Sequence, residues 1–368
     1  MESLIRNARK REVLRPNKPL LGQANIKIVG CGGAGNNTID RLKTIGIIGA
    51  ECIAINTDCQ HLEFIKSDKK ILIGRNLTRG LGAGGDPEIG RAAAEESREE
   101  LTIALRNANL VFITCGEGGG TGTGSAPIVA EIAKLEGAIV VGVVTLPFKT
   151  EIGRMEKAQM GLQELRKYAD TLVVIDNNRL LEIAPDLPII EAFSVADEVL
   201  ANMVKGITET ISLPSLINLD FADVRTVLGT GGVAIVGLGE SGDEENRVDK
   251  AIEDALNSPL LDVSIEGARG ALIHITGGTD MTLAEANSVA KKISDKMDSE
   301  KAIVIWGARV NEEFEGYIRV MLLITGIKSP QIFGKETSNI SDFQKKPEPK
   351  QKIGLSDDIF NIGELAFD

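Results

Sequence analysis

The feature that most constrains this chain is a glycine-rich segment between two strongly apolar stretches. Residues 116–127 read Gly-Glu-Gly-Gly-Gly-Thr-Gly-Thr-Gly-Ser-Ala-Pro, and six of the nine residues from Gly116 to Gly124 are glycine. The apolar run 109–114 predicts a buried strand, and the helical spacing of apolar residues in 128–135 predicts a helix. Because glycine costs backbone entropy, a plain turn would not need so many. A flexible linker is the alternative, but linkers are not framed by a strand and a helix.

Such a strand, loop and helix N-terminus favour binding of a phosphate, since the unpaired amides and the helix dipole attract an anion. The loop does not end in a Lys-Ser/Thr pair, so it is not a Walker A loop. The backbone amides of Gly32, Gly33, Gly35 and residues 119–124 can wrap a triphosphate without a lysine. The hydroxyls of Thr121 and Thr123 add possible donors.

Two further glycine loops support this interpretation. Residues 26–35 predict a strand that runs into Gly-x-Gly-x-x-Gly, with a helix from Asn36 onward. Alone, this is the Rossmann dinucleotide pattern, which requires an acidic residue about twenty positions later. Asp58 comes somewhat late for that role. The third loop, 80–87, precedes a helix with Pro87 in its first turn. Three such loops indicate one polyphosphate held from several sides.

Composition and charge narrow the function classes. The chain has 368 residues, enough for two domains, and carries a formal net charge of −12. This acidic balance argues against nucleic-acid binding as the main role. The longest strongly apolar run, 138–148, is too short to span a bilayer, and no signal peptide begins the sequence. We therefore expect a cytoplasmic globular protein.

The cysteines and histidines predict no metal site. The four cysteines lack metal-binding spacing, which is typical of reduced, buried cysteines in a cytoplasmic protein. They are Cys31, Cys52, Cys59 and Cys115. His61 and His274 are too few and too far apart to form a metal site, so we expect structural or surface roles for both.

The order of predicted elements indicates an α/β fold. From 26 to about 192, strands and helices alternate, which predicts a mostly parallel sheet covered by helices, with ligands at the carboxyl ends of the strands. Residues 194–211 form a long amphipathic helix pattern. A second unit, about 213–327, has four predicted strands and two predicted helices. Residues 1–25 are basic, with a local net charge of +4, and form either a solvated arm or a contact with an acidic neighbour or membrane surface.

The motifs together resemble those of the tubulin/FtsZ superfamily in its FtsZ form, and archaeal FtsZ most of all. Gly118–Gly124 is similar to the family's signature loop. The likeness extends, in the family's order, through 26–35, 83–86, 145–149 and 218–225, and covers about 26–327. The resemblance implies a Rossmann-like GTP-binding domain (26–193), a central helix (194–212) and a smaller α+β C-terminal domain (213–327). A disordered linker (328–352) and a partner-binding peptide (353–368) would follow these domains.

The resemblance also implies the nucleotide contacts and a Mg²⁺ ion that bridges the terminal phosphates. Asp197 would accept from guanine N1–H and the N2 amine, which adenine cannot satisfy. The alternative is that Asp197 only occupies a favourable position near a helix N-terminus. The 151–154 segment is one residue shorter than the usual pattern, and Asp176 stands where proline is common. The implied nucleotide-binding residues are Gly32, Gly33, Ala34, Gly35, Asn36, Ala83, Gly84, Gly85, Gly118, Gly119, Gly120, Thr121, Gly122, Thr123, Gly124, Glu151, Arg154, Asn177, Phe193 and Asp197.

The second reactive element is the segment 218–225. Asp220 and Asp223 are three residues apart, so at a helix start they project from the same side. With Asn218 they could position water and a cation for attack on a phosphate. The resemblance implies that this loop completes the nucleotide site of the next subunit. Alternatively, Asp220 is only an N-cap and Asp223 a first-turn acid.

The resemblance implies a GTPase that polymerises head-to-tail into filaments of the division ring, in the cytoplasm at mid-cell. The predicted partners are further copies of the chain and, through residues 353–368, a membrane-adaptor division protein. No nucleic acid and no direct membrane insertion are expected. One alternative is a tubulin-like GTPase that does not act in division. The other is an NAD(P)-dependent oxidoreductase built on the first glycine loop.

Overall fold

Strands and helices alternate in the first half of the chain, as predicted from its apolar stretches and the glycine loops between them. The elements are β1 (Ile26–Cys31), α1 (Gly32–Thr44), β2 (Ala50–Asn56), α2 (Cys59–Phe64), β3 (Lys69–Leu72), α3 (Arg75–Thr78), α4 (Pro87–Glu96), α5 (Arg98–Leu105), β4 (Leu110–Gly116), α6 (Thr121–Leu135), β5 (Ile139–Leu146), α7 (Ile152–Arg166) and β6 (Thr171–Asp176). Asp86 caps α4, and Pro87 occupies its first turn, as predicted.

The second half begins with a long helix and continues as strands with interspersed helices. Its elements are α8 (Ile189–Ser212), α9 (Phe221–Leu228), β7 (Gly232–Ser241), α10 (Arg247–Leu256), β8 (Gly270–Gly277), α11 (Leu283–Lys296), β9 (Ile303–Val310), a 3₁₀ turn (Glu312–Phe314) and β10 (Ile318–Ile327). All four strands predicted for this half are present. The first of the two helices predicted for this unit, α10, begins at Arg247.

These elements come from a computed structural model that describes residues 24–179, 188–212, 220–229, 231–243, 245–257, 265, 267–297 and 302–327. All of them belong to one unit, Met1–Ser329. The predicted basic extension up to residue 23, the linker (328–352) and the terminal peptide (353–368) lie outside the described residues.

The strands form one ten-stranded sheet with the order β3-β2-β1-β4-β5-β6-β7-β10-β8-β9. Only β10 runs antiparallel to its neighbours, β7 and β8. The other pairs are parallel, which confirms the predicted mostly parallel sheet. The carboxyl ends of β1, β4, β5 and β6 therefore share one edge, here called the carboxyl edge. Their first residues define the opposite, amino edge.

Two apolar clusters stabilise this sheet. One packs α8 against alternate residues of β1 and β4, since side chains two apart share a strand face. The α8 stripe includes the buried Leu200, Met203, Val204 and Ile207, as the predicted amphipathic pattern requires. The second cluster packs α10 and α11 against β7, β8 and β10.

Three of the four cysteines are buried as expected, the fourth is not, and one histidine has a structural role. Cys31, Cys52 and Cys115 are buried, whereas Cys59 is exposed just after β2. His274 is buried, and its Nδ1 lies 2.5 Å from the Thr210 hydroxyl of α8. Burial lowers the pKa of His274 to about 4, so this residue is a neutral structural histidine.

Two helices begin earlier than predicted. We expected α1 from Asn36 and α6 from Ile128, but they begin at Gly32 and Thr121. Glycine is a poor helix former, and for that reason the pattern indicated loops. Tertiary packing explains the difference, because a Cβ on Gly35 would lie 2.2 Å from Thr114 O, and one on Gly124 would lie 2.0 Å from Pro87 O. These glycines permit close approach rather than a turn.

Candidate functional site

The three glycine loops meet at the carboxyl edge of the sheet. β1 and β4 are neighbours, with Cys31 in register with Cys115, so the loops after them emerge side by side. The first turns of α1 and α6 touch, since a Cβ on Gly32 would lie 2.7 Å from the backbone nitrogen of Gly122. Two helix N-termini therefore direct unpaired amides and positive dipole ends into one region.

The third loop packs directly on the signature loop. A Cβ on Gly120 would lie 2.8 Å from Asp86 N and 3.0 Å from Ala83 Cβ. A Cβ on Gly90 of α4 would lie 2.3 Å from Gly120 O. Only glycine allows these backbones to approach so closely. The 83–86 loop is therefore packed directly on the signature loop, which is the predicted phosphate-binding loop.

Other glycines of the same loops face open space. A Cβ on Gly33, Gly84 or Gly85 would meet nothing within 4 Å. Gly84 and Gly85 also have positive φ angles of 60° and 74°, which favour glycine. The main chain at these glycines can therefore be approached from its open sides. We call this backbone-walled region, formed by residues 32–35, 83–86 and 118–124, the cradle.

The two threonine hydroxyls of the signature loop are engaged within the protein. The Thr123 hydroxyl accepts from Gly118 N at 2.9 Å, and the Thr121 hydroxyl lies 2.6 Å from that of Thr57. Thr123 is also buried. Thr123 therefore contributes to the shape of the loop by holding Gly118.

A lysine that the sequence analysis missed lies at the rim of the cradle. Lys157 of α7 donates through Nζ to Gly85 O at 2.6 Å. Glu151 and Arg154, on the same side of α7, form an ion pair at 2.8 Å, and the Arg154 backbone packs on Gly118. The three-residue spacing from Arg154 to Lys157 was the signal that could have revealed this basic face.

Polar groups of two predicted nucleotide-binding residues remain unsatisfied inside the protein. Both amide atoms of Asn36 and Oδ1 of Asn177 are buried without a hydrogen-bond partner. Native structures rarely leave such groups unpaired, so each of these atoms is a candidate hydrogen-bond partner for a ligand or a water. Asn36 lies on α1 next to the cradle, and Asn177 directly follows β6 at the carboxyl edge. Phe193 lies on α8, and its side chain is outside the described residues.

Asp197 of α8 lies against α1. The Thr38 hydroxyl donates to Asp197 Oδ1 at 3.4 Å. Burial raises the pKa of Asp197 to about 6, although Thr38 and the nearby Arg41 lower it. This carboxylate therefore gains from a ligand that donates hydrogen bonds to it.

The paired acids lie elsewhere in the fold. Asp220 is the N-cap of α9 and accepts from Asp223 N at 2.8 Å, and both residues are exposed. Their capping geometry matches the structural alternative, but exposure leaves both carboxylates accessible. Asn218 falls outside the described residues.

Anchors on both sides of these acids lie at the amino edge. Ser212, at the end of α8, donates to Gly49 O just before β2. Leu228 O, at the end of α9, accepts from Thr171, the first residue of β6, at 2.6 Å. By contrast, Asp197 of α8 contacts α1. From the rise per residue of a helix, Asp197 and Ser212 are about 22 Å apart along the axis of α8. The structure therefore does not bring the acids together with their own chain's cradle.

Neither a protein metal cage nor a membrane span is found in the described part of the chain. No group of three His, Cys, Asp or Glu residues there could hold a metal ion. Among these same residues, no helix combines the length and apolar character needed to cross a bilayer.

Comparisons with known proteins follow the same division of the chain. The model of the Tubulin/FtsZ family GTPase domain matches residues 25–185, and that of the FtsZ family C-terminal domain matches 232–328. Cell division protein FtsZ 2 of Methanocaldococcus jannaschii is 60% identical over 337 residues, 91% of this chain and 88% of that protein. Cell division protein FtsZ 2 of Haloferax volcanii is 50% identical over 379 residues, 100% of this chain and 94% of that protein. An empty FtsZ dimer from M. jannaschii has a TM-score of 0.80 at 54% identity, covering 89% of this chain and 92% of that one.

Proposed function

This chain belongs to the tubulin/FtsZ family and is a filament-forming, GTP-hydrolysing protein of cell division, and we propose that two subunits share each of its catalytic sites. The observation that carries this proposal is the separation of the cradle from the paired acids. The cradle opens at the carboxyl edge, whereas both anchors of the acid-bearing segment lie at the amino edge. A neighbour stacked along that direction would present its acids to the cradle.

In this proposal the phosphates bind to main-chain amides. The open faces of Gly33, Gly84 and Gly85 leave room for phosphate oxygens, and the α1 and α6 N-termini supply the positive field. The proposed contact set is the whole cradle, together with the Glu151–Arg154 pair near the ribose.

The base is proposed to lie between α1, α8 and the end of β6. Asp197 accepts two hydrogen bonds from guanine N1–H and the N2 amine. Adenine has an acceptor at N1 and would leave the carboxylate unpaired, which costs far more than a missing apolar contact. The unpaired atoms of Asn36 and Asn177 support polar contacts to the sugar or base, and Phe193 would lie beside the ring.

Magnesium is proposed to bind chiefly through the phosphates. The described residues offer no three-ligand cluster, so the ion would keep most of its coordination from phosphate oxygens and water. Bound there, it would neutralise charge that develops on the γ-phosphate.

Hydrolysis is proposed to use Asp220, Asp223 and Asn218 of the neighbouring subunit. The carboxylates would orient a water that attacks the γ-phosphorus, while the bond to the β–γ bridging oxygen breaks and GDP leaves. Since both acids are exposed, an incoming cradle could contact them without unfolding α9.

Residues 353–368 are proposed to bind a membrane-adaptor division protein and so bring the filament to the mid-cell ring. The support comes from the sequence, where apolar residues return after the polar, proline-dotted stretch 328–352. The peptide is too short and too acidic to hold an anionic membrane by itself.

Neither alternative function fits as well. Asp58, the acid that a dinucleotide-binding site would need, caps α2 by accepting from Gln60 N and His61 N. The signature loop and the paired acids would also have no role in an oxidoreductase. The match of 232–328 to the FtsZ C-terminal domain favours a division protein over other tubulin-like GTPases.

Mixing two inactive variants tests the shared site. Asp197→Ala should not bind GTP, whereas Asp223→Asn should bind GTP without cleaving it. In a mixture, an Asp197→Ala subunit can supply intact acids to the cradle of Asp223→Asn, so GTP hydrolysis should reappear. Phosphate release that stays at the level of the separate variants, while both proteins co-sediment, would contradict the proposal.

A further inference from the structure

Glu117 is a buried carboxyl that none of the proposed contacts uses. It directly follows β4 and opens the signature loop, where its backbone N donates to Thr145 O at 2.9 Å. The residue is only 4% exposed, and its Oε2 has no hydrogen-bond partner. A buried, incompletely paired carboxylate is costly, so such a group needs a reason to be present.

The contacts of Glu117 connect it to the phosphate loop. Its neighbour Gly118 donates to the Thr123 hydroxyl, and the Thr123 side chain lies beside the Glu117 carboxyl. A Cβ on Gly161 of α7 would lie 2.3 Å from Glu117 Oε2 and 2.3 Å from Thr123 Cγ2. The missing side chain at Gly161 therefore makes room for the carboxyl beside the loop.

Among the described residues, no positively charged side chain contributes to the electrostatics of Glu117. The titratable groups that face it are the thiols of Cys115 on β4 and Cys31 on β1, and burial raises the pKa of both. From α6 and α7 it meets Thr123 and Gly161. Burial accordingly raises the pKa of Glu117 to about 7, although Thr123 and Cys115 lower it. Near neutral pH, the protein thus holds a mixture of charged and neutral forms.

We propose that Glu117 is a proton-linked positioning residue of the phosphate loop, which takes up a proton from solvent when a guanine nucleotide binds. The polyphosphate brings several negative charges next to a buried carboxylate, and like charges favour the neutral acid. The neutral acid still lies beside the Thr123 hydroxyl that holds Gly118. This inference rests on the proposed nucleotide site.

Calorimetric titration with Mg²⁺–GDP in two buffers of different ionisation enthalpy measures the proton uptake. The measured quantity is the number of protons taken up per GDP bound. At pH 7 this number should be larger for the wild type than for Glu117→Gln by about half a proton, and at pH 6 by about a tenth of a proton. From pH 6 to pH 8, its GDP affinity should fall about tenfold relative to that of the variant, because the carboxylate must be protonated on binding.

Glu131→Gln is the matched control, since Glu131 lies on α6 but is paired with Arg98 at 2.7 Å. This variant should retain the wild-type proton uptake. Equal uptake by the wild type and Glu117→Gln would overturn the proposal while leaving nucleotide binding intact. A wild type that binds no GDP would instead overturn the nucleotide site.

A second measurement covers the case in which Glu117→Gln does not fold. Wild-type protein titrated with guanosine, which carries no phosphate, should show none of the uptake seen with GDP near pH 7 once proton release by GDP itself is subtracted. Equal uptake with both ligands would place the proton elsewhere and refute the role of Glu117.

Discussion

The cradle offers main-chain atoms to a ligand, whereas the segment 218–225, which carries the paired acids, offers side chains. The cradle is built from main chain, and a Cβ added to Gly32, Gly120 or Gly124 would lie less than 3 Å from a neighbouring main-chain atom. The acids Asp220 and Asp223 are exposed side chains on a short helix. A backbone site must be complete within one fold, whereas exposed carboxylates can serve another molecule. With the proposed shared site, this difference would allow one chain to bind nucleotide alone and yet need a neighbour to cleave it.

Removing an acid should produce the largest effect. We expect Asp223→Asn to retain GTP affinity but to lose at least about a hundredfold in turnover, since water-positioning groups are worth orders of magnitude in phosphoryl transfer. Phosphate release and fluorescent-nucleotide binding, measured on the same sample, separate the two properties. Asp249→Asn is the control, because Asp249 is an exposed first-turn acid of α10. An equal loss of binding and turnover would erase the distinction between the regions.

Glycine substitutions in the cradle should have the next largest effect. Gly120→Ala places a Cβ 2.8 Å from Asp86 N, so it should lower the free energy of unfolding by about 1–3 kcal/mol and weaken GDP binding. Gly33→Ala enters open space on α1, so it should stabilise the nucleotide-free protein by up to about 1 kcal/mol. If phosphate occupies that space, the GDP affinity of Gly33→Ala should nevertheless be at least tenfold lower than that of the wild type. A tenfold loss corresponds to about 1.4 kcal/mol of binding free energy.

Thermal melts with and without GDP check both variants. If Gly33→Ala and the wild type have the same GDP affinity, phosphate does not occupy the space beside Gly33.

Acidification should weaken guanine binding about tenfold. Asp197 must be ionised to accept from guanine, and its pKa in the free protein is about 6. Protonation therefore competes with the base, so affinity is full above pH 7 and falls about tenfold by pH 5. Titrations in the Glu117→Gln background isolate this effect, because Glu117 would shift affinity in the opposite direction. A flat profile from pH 7 to 5 would remove Asp197 from the base contact.

Deletion of residues 353–368 should have the smallest effect in solution. GTP turnover and sedimentation should be unchanged, because the cradle and the acids both precede residue 224. Recruitment to the membrane should be lost in cells, as seen by localisation of full-length and truncated protein. A severalfold drop in turnover with intact localisation would assign the peptide to the folded body instead.

The sequence was sufficient to predict the loops but not how they are held. Strand–glycine–helix order and apolar periodicity predicted the parallel sheet, the meeting of the three loops and the buried face of α8. The early starts of α1 and α6 were missed, because helix propensity counts against Gly32 and Gly122 while tertiary packing requires them. Propensity is local, and the contacts that override it join residues far apart in the chain.

The chemistry of single side chains was harder to predict. Thr123 was expected to donate to a phosphate, and its hydroxyl also accepts from Gly118 N, a neighbour that only the folded loop reveals. Glu117 read as one polar residue among glycines, because its burial depends on Gly161, more than forty positions later. The roles of the nucleotide-site residues remain predictions, although the unpaired atoms of Asn36 and Asn177 favour them.

The placement of the cradle and the acids on opposite edges also determines how many complete catalytic sites a filament of given length contains. Contacts between unlike faces do not close on themselves unless a ring forms, so an open row of n subunits has n − 1 complete sites. One terminal subunit keeps a nucleotide that no acid reaches, and the other terminal subunit carries acids with nothing to cleave. Turnover per subunit would thus rise from half its limit in a dimer towards the full value in a long row. The two ends would differ chemically, and only one of them would retain uncleaved GTP.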